Sequence, residues 1–325
     1  MTKVLVTGSS GFLGTEIVRL ALQKGYEVVG VDLRSPDSFP PDNFEFIKSS
    51  LLNIDKTRFT KIDFVIHAAS SLPYGNSKLD FAQNNVEAAR KVANLALDLD
   101  AFLVEVSSSS VYGRPSSVPI SAETKTSPLD DYGYSKLVAE KEILKVLPKA
   151  KVCIIRPRTI LGAGRTGIFS KFFSLIRSGK PLPLPNAGSQ IIQFVHVEDL
   201  AALCLFMGER EFSGTWPAAS PKPRRLLDHL QEISRNENLT IRYIPLNASF
   251  FELIGKILVM LKLTSFTKWH FGAFPYDSYF DEIWIPNGFV YERTSSEAFL
   301  DTWRSSNSSS ASIYKATKWK LGRKV

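Results

Sequence analysis

Tyr132 and Lys136 stand four residues apart in the run Asp131-Tyr-Gly-Tyr-Ser-Lys136. On a helix this spacing puts both side chains on one face. An ammonium beside a phenol favours the phenolate and draws the tyrosine pKa below its reference of about 10. A tyrosine tuned in this way can take a proton from an alcohol, or return it, near neutral pH. The spacing by itself recurs often by chance. Its weight here comes from two companions, a serine cluster at Ser107–Ser110 and a glycine turn at the start of the chain.

That turn is Gly8-Ser-Ser-Gly11-Phe-Leu-Gly14. It falls between an apolar strand, Val4–Val6, and a helix expected over Thr15–Gln23. Gly8 permits the tight turn, Gly11 lets the backbone approach a pyrophosphate, and Gly14 lets the helix pack close to the sheet. The helix start then offers free N–H groups to phosphate oxygens. Asp32 ends the next strand, Glu27–Asp32, where its carboxylate can accept both hydroxyls of a ribose. That favours NAD over NADP, because a 2′-phosphate would be repelled. Arg34, two residues on, softens the preference.

The elements that must position these groups alternate. Strands are expected at Phe44–Ile47, Asp63–His67, Phe102–Val106 and Lys151–Ile155, and helices at Asn85–Leu97 and Tyr132–Leu147. Such alternation predicts a parallel sheet with helices on both faces. No repeat at solenoid spacing is present.

Composition excludes several other classes. The chain has 325 residues, 44% hydrophobic and 22% charged, ordinary for a globular protein with a real core. The first strand begins at Lys3, with no charged leader, apolar run and cleavage site before it, so a cytoplasmic location is expected. Cys153 and Cys204 lie in apolar runs and read as buried reduced thiols, with no metal site expected. The net charge is +8, but Lys315, Lys318, Lys320, Arg323 and Lys324 crowd the end, and without those five it is +3. Nucleic acid is therefore not an expected partner. The basic tail reads as a solvated end, with contact to an anionic membrane surface as the minor alternative.

With Gly8–Gly14, His67-Ala-Ala69, Asn85-Val86, Ser107–Gly113, Tyr132-x-x-x-Lys136, Arg156-Pro157 and Phe194-Val-His-Val-Glu-Asp199 in this order, the chain resembles an extended short-chain dehydrogenase/reductase of the NAD-dependent epimerase/dehydratase superfamily. The resemblance covers approximately Lys3–Ala219. It implies an α/β fold: a doubly wound parallel (Rossmann) sheet with a smaller C-terminal α/β substrate-binding domain. It implies that Ser108 hydrogen-bonds the reacting oxygen, that Tyr132 is the acid/base, and that Lys136 binds the nicotinamide ribose and tunes Tyr132. Phe12 and Leu13 would present backbone N–H groups to the pyrophosphate. Leu51, Ala68 and Ala69 would line the cofactor, Asn85 would help to fix it, and Pro157 and Thr159 would approach its nicotinamide end. Ser70, Ser109, Arg165 and Ile192 are the implied substrate contacts. A homodimer through helices 85–97 and 132–147 is the family-level expectation.

Three departures narrow the reading. Ser109 and Ser110 stand where similar 4,6-dehydratases carry an Asp-Glu pair, so water elimination is not expected. Ile192 stands where many nucleotide-sugar enzymes have an arginine for the substrate diphosphate. Arg165, Arg224, Arg225 or Arg293 would have to replace it. Ser50 stands where an acidic residue often meets the adenine.

The second half is less regular. Helices are expected at Phe169–Ser178, Glu198–Met207 and Leu226–Arg235, a proline-rich loop at Lys180–Asn186 and a strand at Ser189–Val195. His196 reads as structural. Ser249–Leu263 has helical apolar spacing at Phe250, Leu253, Ile254, Ile257, Leu258 and Leu261, broken by Glu252, Lys256 and Lys262. It is shorter than the ~20 apolar residues that cross a bilayer. It reads as a packed amphipathic helix, with a lid over a greasy substrate or an interfacial contact as alternatives. An aromatic run from Trp269 to Trp284 follows. The expected division is residues 1–160 for cofactor and catalysis, 161–304 for substrate with 190–205 returning to the first unit, and 305–325 as a serine-rich linker and basic tail.

The leading expectation is an NAD-dependent nucleotide-sugar epimerase or reductase acting on a small molecule. The alternative is a 3β-hydroxysteroid-dehydrogenase-like enzyme for a hydrophobic hydroxy or keto substrate. A non-catalytic NAD-binding protein is the third reading.

Overall fold

The computed structural model describes residues 1–37, 42–73, 76–165, 168–261, 263–264, 267–280 and 286–306. Trp284, Lys262, the serine-rich linker beyond residue 306 and the basic tail lie outside the described residues.

The chain begins with β1 (Lys3–Thr7), α1 (Phe12–Gln23), β2 (Glu27–Asp32), β3 (Phe44–Lys48) and β4 (Phe64–His67). A short α2 (Lys78–Phe81) widens into a π-helical turn over Ala82–Glu87 and continues as α3 (Ala88–Asp98). Then follow β5 (Phe102–Val106), α4 (Asp131–Val146), β6 (Val152–Pro157), β7 (Thr159–Leu161) and α5 (Ile168–Arg177). Next come β8 (Leu182–Pro185), β9 (Ile191–Ile192), β10 (Phe194–His196), α6 (Val197–Glu209) and β11 (Gly214–Ala218). The rest is β12 (Arg224–Arg225), α7 (Leu226–Asn236), β13 (Tyr243–Leu246), α8 (Ala248–Met260), α9 (Lys268–Gly272) and α10 (Ser295–Ser305).

A seven-stranded parallel sheet runs in the order β11-β6-β5-β4-β1-β2-β3. Its strands are apolar on both sides because helices cover both faces. On one face Ile17 and Val18 of α1 and Leu200, Leu203 and Cys204 of α6 pack on Val4, Val6 and Val104. On the other, Ala89 and Val92 of α3 and Ala139 and Ile143 of α4 pack on Leu5, Val65 and Leu103. The chain order reverses direction between β1 and β4, where such folds open a crevice at the strand ends.

A separate lobe is built around Phe173, Phe194, Phe299 and Trp303. Phe194 and Phe299 stack at 5.3 Å, and Phe299 meets Phe173 edge-on at 5.2 Å.

Several local expectations give way to tertiary pairing. The proline-rich stretch 180–186 contains a strand, β8, because β13 supplies a parallel partner. The strand expected over 189–195 is split at Gln193. Its amide turns inward, donating to the Ser220 carbonyl at 2.9 Å and accepting from Phe280 N–H at 2.9 Å. The edge strand β11 and helix α10 lie outside the elements expected from the sequence. The capping box of α10 was readable, since Thr294 and Glu297 satisfy each other's backbone N–H groups. Cys153 and Cys204 are buried and unpaired by any disulfide.

Candidate active site and cofactor cradle

The glycine turn links β1 to α1 at the crevice. Gly8 has φ +71°, and its N–H donates to the Val31 carbonyl at 2.8 Å, which ties the turn to β2. A Cβ on Gly14 would lie 1.9 Å from the Gly8 carbonyl oxygen, so the helix can approach only without one. A Cβ on Gly11 would meet only the Gly8 oxygen, at 3.1 Å, so the outer side of the turn is open. Helix α1 starts at Phe12 without a side-chain cap. The N–H groups of Phe12 and Leu13 therefore lie at an uncapped helix start.

Asp32 accepts from Ser10 N–H and Arg34 N–H, each at 3.0 Å, which holds its carboxylate at the end of β2. The hydroxyls of Ser9 and Ser10 are buried without hydrogen-bond partners among the described residues. Ala68 N–H bonds to the Thr7 carbonyl at 3.1 Å, and Ala69 backs directly on Gly8. Leu51 is buried just after β3, where Ser50 caps the following turn. An open glycine turn, an uncapped helix start and a strand-end carboxylate together fit the pyrophosphate and adenosine ribose of NAD.

The catalytic candidates converge from two elements. Ser108 follows β5. Its oxygen accepts from Ser110 N–H at 3.1 Å and from the Ser110 hydroxyl at 2.9 Å, leaving its own O–H to turn towards a ligand. Tyr132 sits in the first turn of α4, which Asp130 caps through Gly133 N–H at 2.9 Å. The Tyr132 ring meets Phe81 edge-on at 6.1 Å. Ser108, Ser109, Tyr132, Pro157, Thr159, Arg165 and Ile192 all line one cavity of about 910 Å³.

Lys136, four residues after Tyr132, is buried beneath this wall. Its ammonium donates to Glu105 Oε1 at 2.8 Å. Burial alone would lower the Lys136 pKa, but the charge of Glu105, the Tyr132 phenol and Glu140 outweigh it and hold the pKa above the ordinary lysine value. Thr7, His67 and Glu105 are register partners at the ends of β1, β4 and β5. The Thr7 hydroxyl meets His67 Nδ1 at 2.6 Å, and His67 Nε2 faces Glu105 Oε2 at 3.9 Å. Burial lowers the His67 pKa, so the ring is neutral at pH 7.

A second buried pair braces α4 against β6. Arg156 reaches Glu140 with two bonds, of 3.0 and 2.6 Å, and donates to the Tyr112 hydroxyl at 2.9 Å. Ser107 donates to Glu140 as well.

Asn85 ties the cofactor-side loop to α4. Its side chain accepts from Ser70 Oγ and Ser71 N–H and donates to Ser135 Oγ at 2.9 Å. It fastens the loop after β4 to α4. Ser70 is turned to Asn85 and stands outside the cavity wall. Of the four arginines that could replace one at Ile192, only Arg165 lines the cavity among the described residues. Arg224 pairs with Glu232, Arg225 with Asp228, and Arg293 with Glu198. His196 caps α6 by accepting from Glu198 N–H at 3.2 Å, a structural task.

Sequence reasoning passed over Glu105, Glu140 and Arg158. A charge inside the buried run Phe102–Val106 was the available signal for Glu105. Arg158 lies against Ser109 on the cavity wall. The segment at 248–260 is a helix with two apolar faces. Phe251, Ile254 and Leu258 roof the cavity, while Phe250, Leu253 and Met260 are exposed. Among the described residues no helix is long and apolar enough to cross a membrane.

The family model described as "NAD dependent epimerase/dehydratase family" matches residues 4–217. An uncharacterized protein of Sinorhizobium fredii, y4nG, is 28% identical over 321 residues, covering 96% of this chain and 80% of that protein. The uncharacterized UDP-glucose epimerase YtcB of Bacillus subtilis is 30% identical over 223 residues, covering 61% of this chain and 69% of that protein. Among solved structures, the UDP-glucuronic acid 4-epimerase of Bacillus cereus in complex with NAD superposes with a TM-score of 0.73 at 19% identity, covering 94% of this chain and 98% of that one. The matched span runs from the glycine turn through the serine cluster and the tyrosine–lysine pair to the end of the parallel sheet, and on it the chain belongs to the NAD-dependent epimerase/dehydratase family.

Proposed function

We propose that the chain is an NAD-dependent oxidoreductase that moves a hydride at a carbinol or keto carbon bound between Ser108 and Tyr132. The observation that carries this reading is the meeting of Ser108, Tyr132, Pro157 and Thr159 on one cavity wall, with Lys136, one helical turn on from Tyr132, buried and close enough to feel the phenol's charge. When bound, NAD supplies the hydride acceptor. Tyr132 takes the hydroxyl proton in oxidation and returns it in reduction. Ser108 donates a hydrogen bond to the reacting oxygen as charge develops on it. Lys136 keeps a positive charge beside the phenol.

The names of the relatives favour a nucleotide-sugar substrate handled by epimerisation or reduction. A second reading, an apolar hydroxy or keto substrate, is favoured by Ile192 on the wall and by the aromatic and aliphatic lining. Ser109 and Ser110 offer neither the acid nor the base that 4,6-dehydration needs, which supports leaving that reaction out. The outer faces of α3 and α4 expose Leu97, Tyr134 and Leu144, which supports a homodimer through these helices. Light scattering that gives a monomer would rule that assembly out.

The test is a calorimetric and thermal-shift screen with NAD(H), NADP(H), UDP- and GDP-sugars and hydroxysteroids, followed by NADH formation on each binder. Failure of every dinucleotide to bind would overturn the reading. Binding of NAD with turnover that survives Tyr132→Phe would remove Tyr132 from the mechanism.

A further inference from the structure

Two arginines flank Pro157, and their charges are treated in opposite ways. Arg156 is neutralised by the two bonds to Glu140. Arg158 is 6% exposed, yet no ion pair is found for it among the described residues. Its Nη1 is 3.4 Å from Ser109 Oγ and its Nε is 3.4 Å from the Gln193 carbonyl, both at the long limit of a hydrogen bond. Its Cζ lies 5.8 Å from the Phe280 ring centre. Its backbone N–H donates to the Ala218 carbonyl at 2.8 Å, which fixes its main chain at the sheet edge. Burial without an acid lowers its pKa to about 10, which still leaves it charged at pH 7.

A buried guanidinium is costly unless an anion meets it. The surroundings that face Arg158 are a cavity, and the rest of that cavity is mainly apolar. Phe169 and Phe172 of α5, Phe251, Ile254 and Leu258 of α8, and Phe274 form its far side. The other two cations on the lining lie elsewhere. Arg165 sits over the Phe12 ring at 5.3 Å, beside the glycine turn, and Lys171 is exposed. Ser109, which Arg158 touches, is the neighbour of Ser108. Ser108, Ser109, Tyr132 and Arg158 all line this one cavity, so a single small molecule can meet the guanidinium and the Ser108–Tyr132 pair together. A planar carboxylate matches the guanidinium fork and balances its single charge.

We infer that the substrate is an apolar hydroxy or keto acid, its carboxylate on Arg158, its carbinol or keto carbon at Ser108 and Tyr132, and its hydrocarbon body between α5 and α8. This rests on the hydride-transfer reading above and adds the substrate class. In the oxidative direction the carbinol C–H bond breaks, its hydride passing with both electrons to NAD+. The O–H bond breaks with its proton passing to Tyr132 and on to solvent, and a C=O bond forms. Hydroxy acid and NAD+ give keto acid, NADH and one proton.

The test compares 3-hydroxydecanoate and 3-hydroxytetradecanoate with their methyl esters and with UDP-glucose, by calorimetry on the full chain in the presence of NADH. The acids are expected to bind about tenfold or more tightly than the esters, and the longer acid more tightly than the shorter. In Arg158→Met the preference for acid over ester should vanish while ester affinity and NADH affinity stay unchanged. Arg158→Lys should keep part of it. The native acid-to-ester ratio needs no variant, so a poorly folding Arg158→Met does not decide the matter. Equal binding of acid and ester, no binding of either acid, tighter binding of UDP-glucose than of either acid, or an acid preference that survives Arg158→Met overturns the proposal. Acid binding that depends on Arg158 but yields no NADH with NAD+ supports the anchor and sinks the hydride-transfer reading. NADH formation on a neutral carbinol, indifferent to Arg158, does the reverse.

Discussion

Lys136 and Glu105 form an ion pair of 2.8 Å with both side chains almost wholly out of water. The pair spans α4 and β5, so the lysine below Tyr132 is held by the central sheet as well as by its own helix. A buried pair contributes little net stability over an apolar pair, but losing one partner leaves the other charge stranded.

Glu105→Gln should therefore destabilise the fold by about 3 kcal/mol or more, read as a lower urea midpoint at unchanged slope. The double variant Glu105→Gln with Lys136→Met should recover much of that loss, because neither charge is then buried alone. A single variant as stable as the native chain would contradict the pairing.

Tyr132→Phe keeps the ring and its edge contact with Phe81. Turnover should fall by roughly 10²- to 10⁴-fold, the usual range for one general acid/base, while NAD affinity by calorimetry changes little. A large loss of NAD affinity would instead place the phenol in cofactor binding.

Asp32→Asn removes the negative charge at the end of β2 and keeps one oxygen for the backbone contacts. The ratio of NAD to NADP affinity should drop by about tenfold or more, since a 2′-phosphate no longer meets a carboxylate. An unchanged ratio would show that Arg34 or the loop backbone sets the preference.

His229 and His270 are kept neutral by burial, each with a pKa lowered from 6.5 to about 4. The unfolded chain takes up these protons below its ordinary pKa, and the folded chain does not until near pH 4. Stability is therefore full above pH 6.5 and is lost as pH falls towards 4, by up to about 3 kcal/mol for each ring. Urea midpoints measured at pH 7 and pH 5 should show the decline. Equal midpoints would mean that the rings are hydrated or paired in solution.

Much of the first half was legible because its signals are local. Val4–Val6, the glycine turn and Asp32 form a strand, a turn and a strand end within one βαβ unit, and each residue type is demanded by its own backbone position. The partners of Asn85, Ser70, Ser71 and Ser135, come from two other segments, and spacing along the chain does not reveal them. The stretch 180–186 was misjudged because a proline-rich run becomes a strand only when β13 lies beside it. Helix α10 carries a local start signal in the capping box of Thr294 and Glu297, but its apolar face is recognisable only against Phe173 and Phe194 in the second core.

By itself the sequence predicted the parallel sheet, from the alternation of its strands and helices. The glycine turn was legible from its place between strand and helix, and the roles expected for Ser108, Tyr132 and Lys136 came from the resemblance to the family. Only the tertiary structure decided which charges are spent and which are left over. Glu105 takes up Lys136 across 31 positions and Glu140 takes up Arg156 across 16, while Arg158 faces the cavity with no carboxylate beside it among the described residues. Whether a buried charge is neutralised depends on what the fold brings within a few ångströms of it, and spacing along the chain does not carry that information.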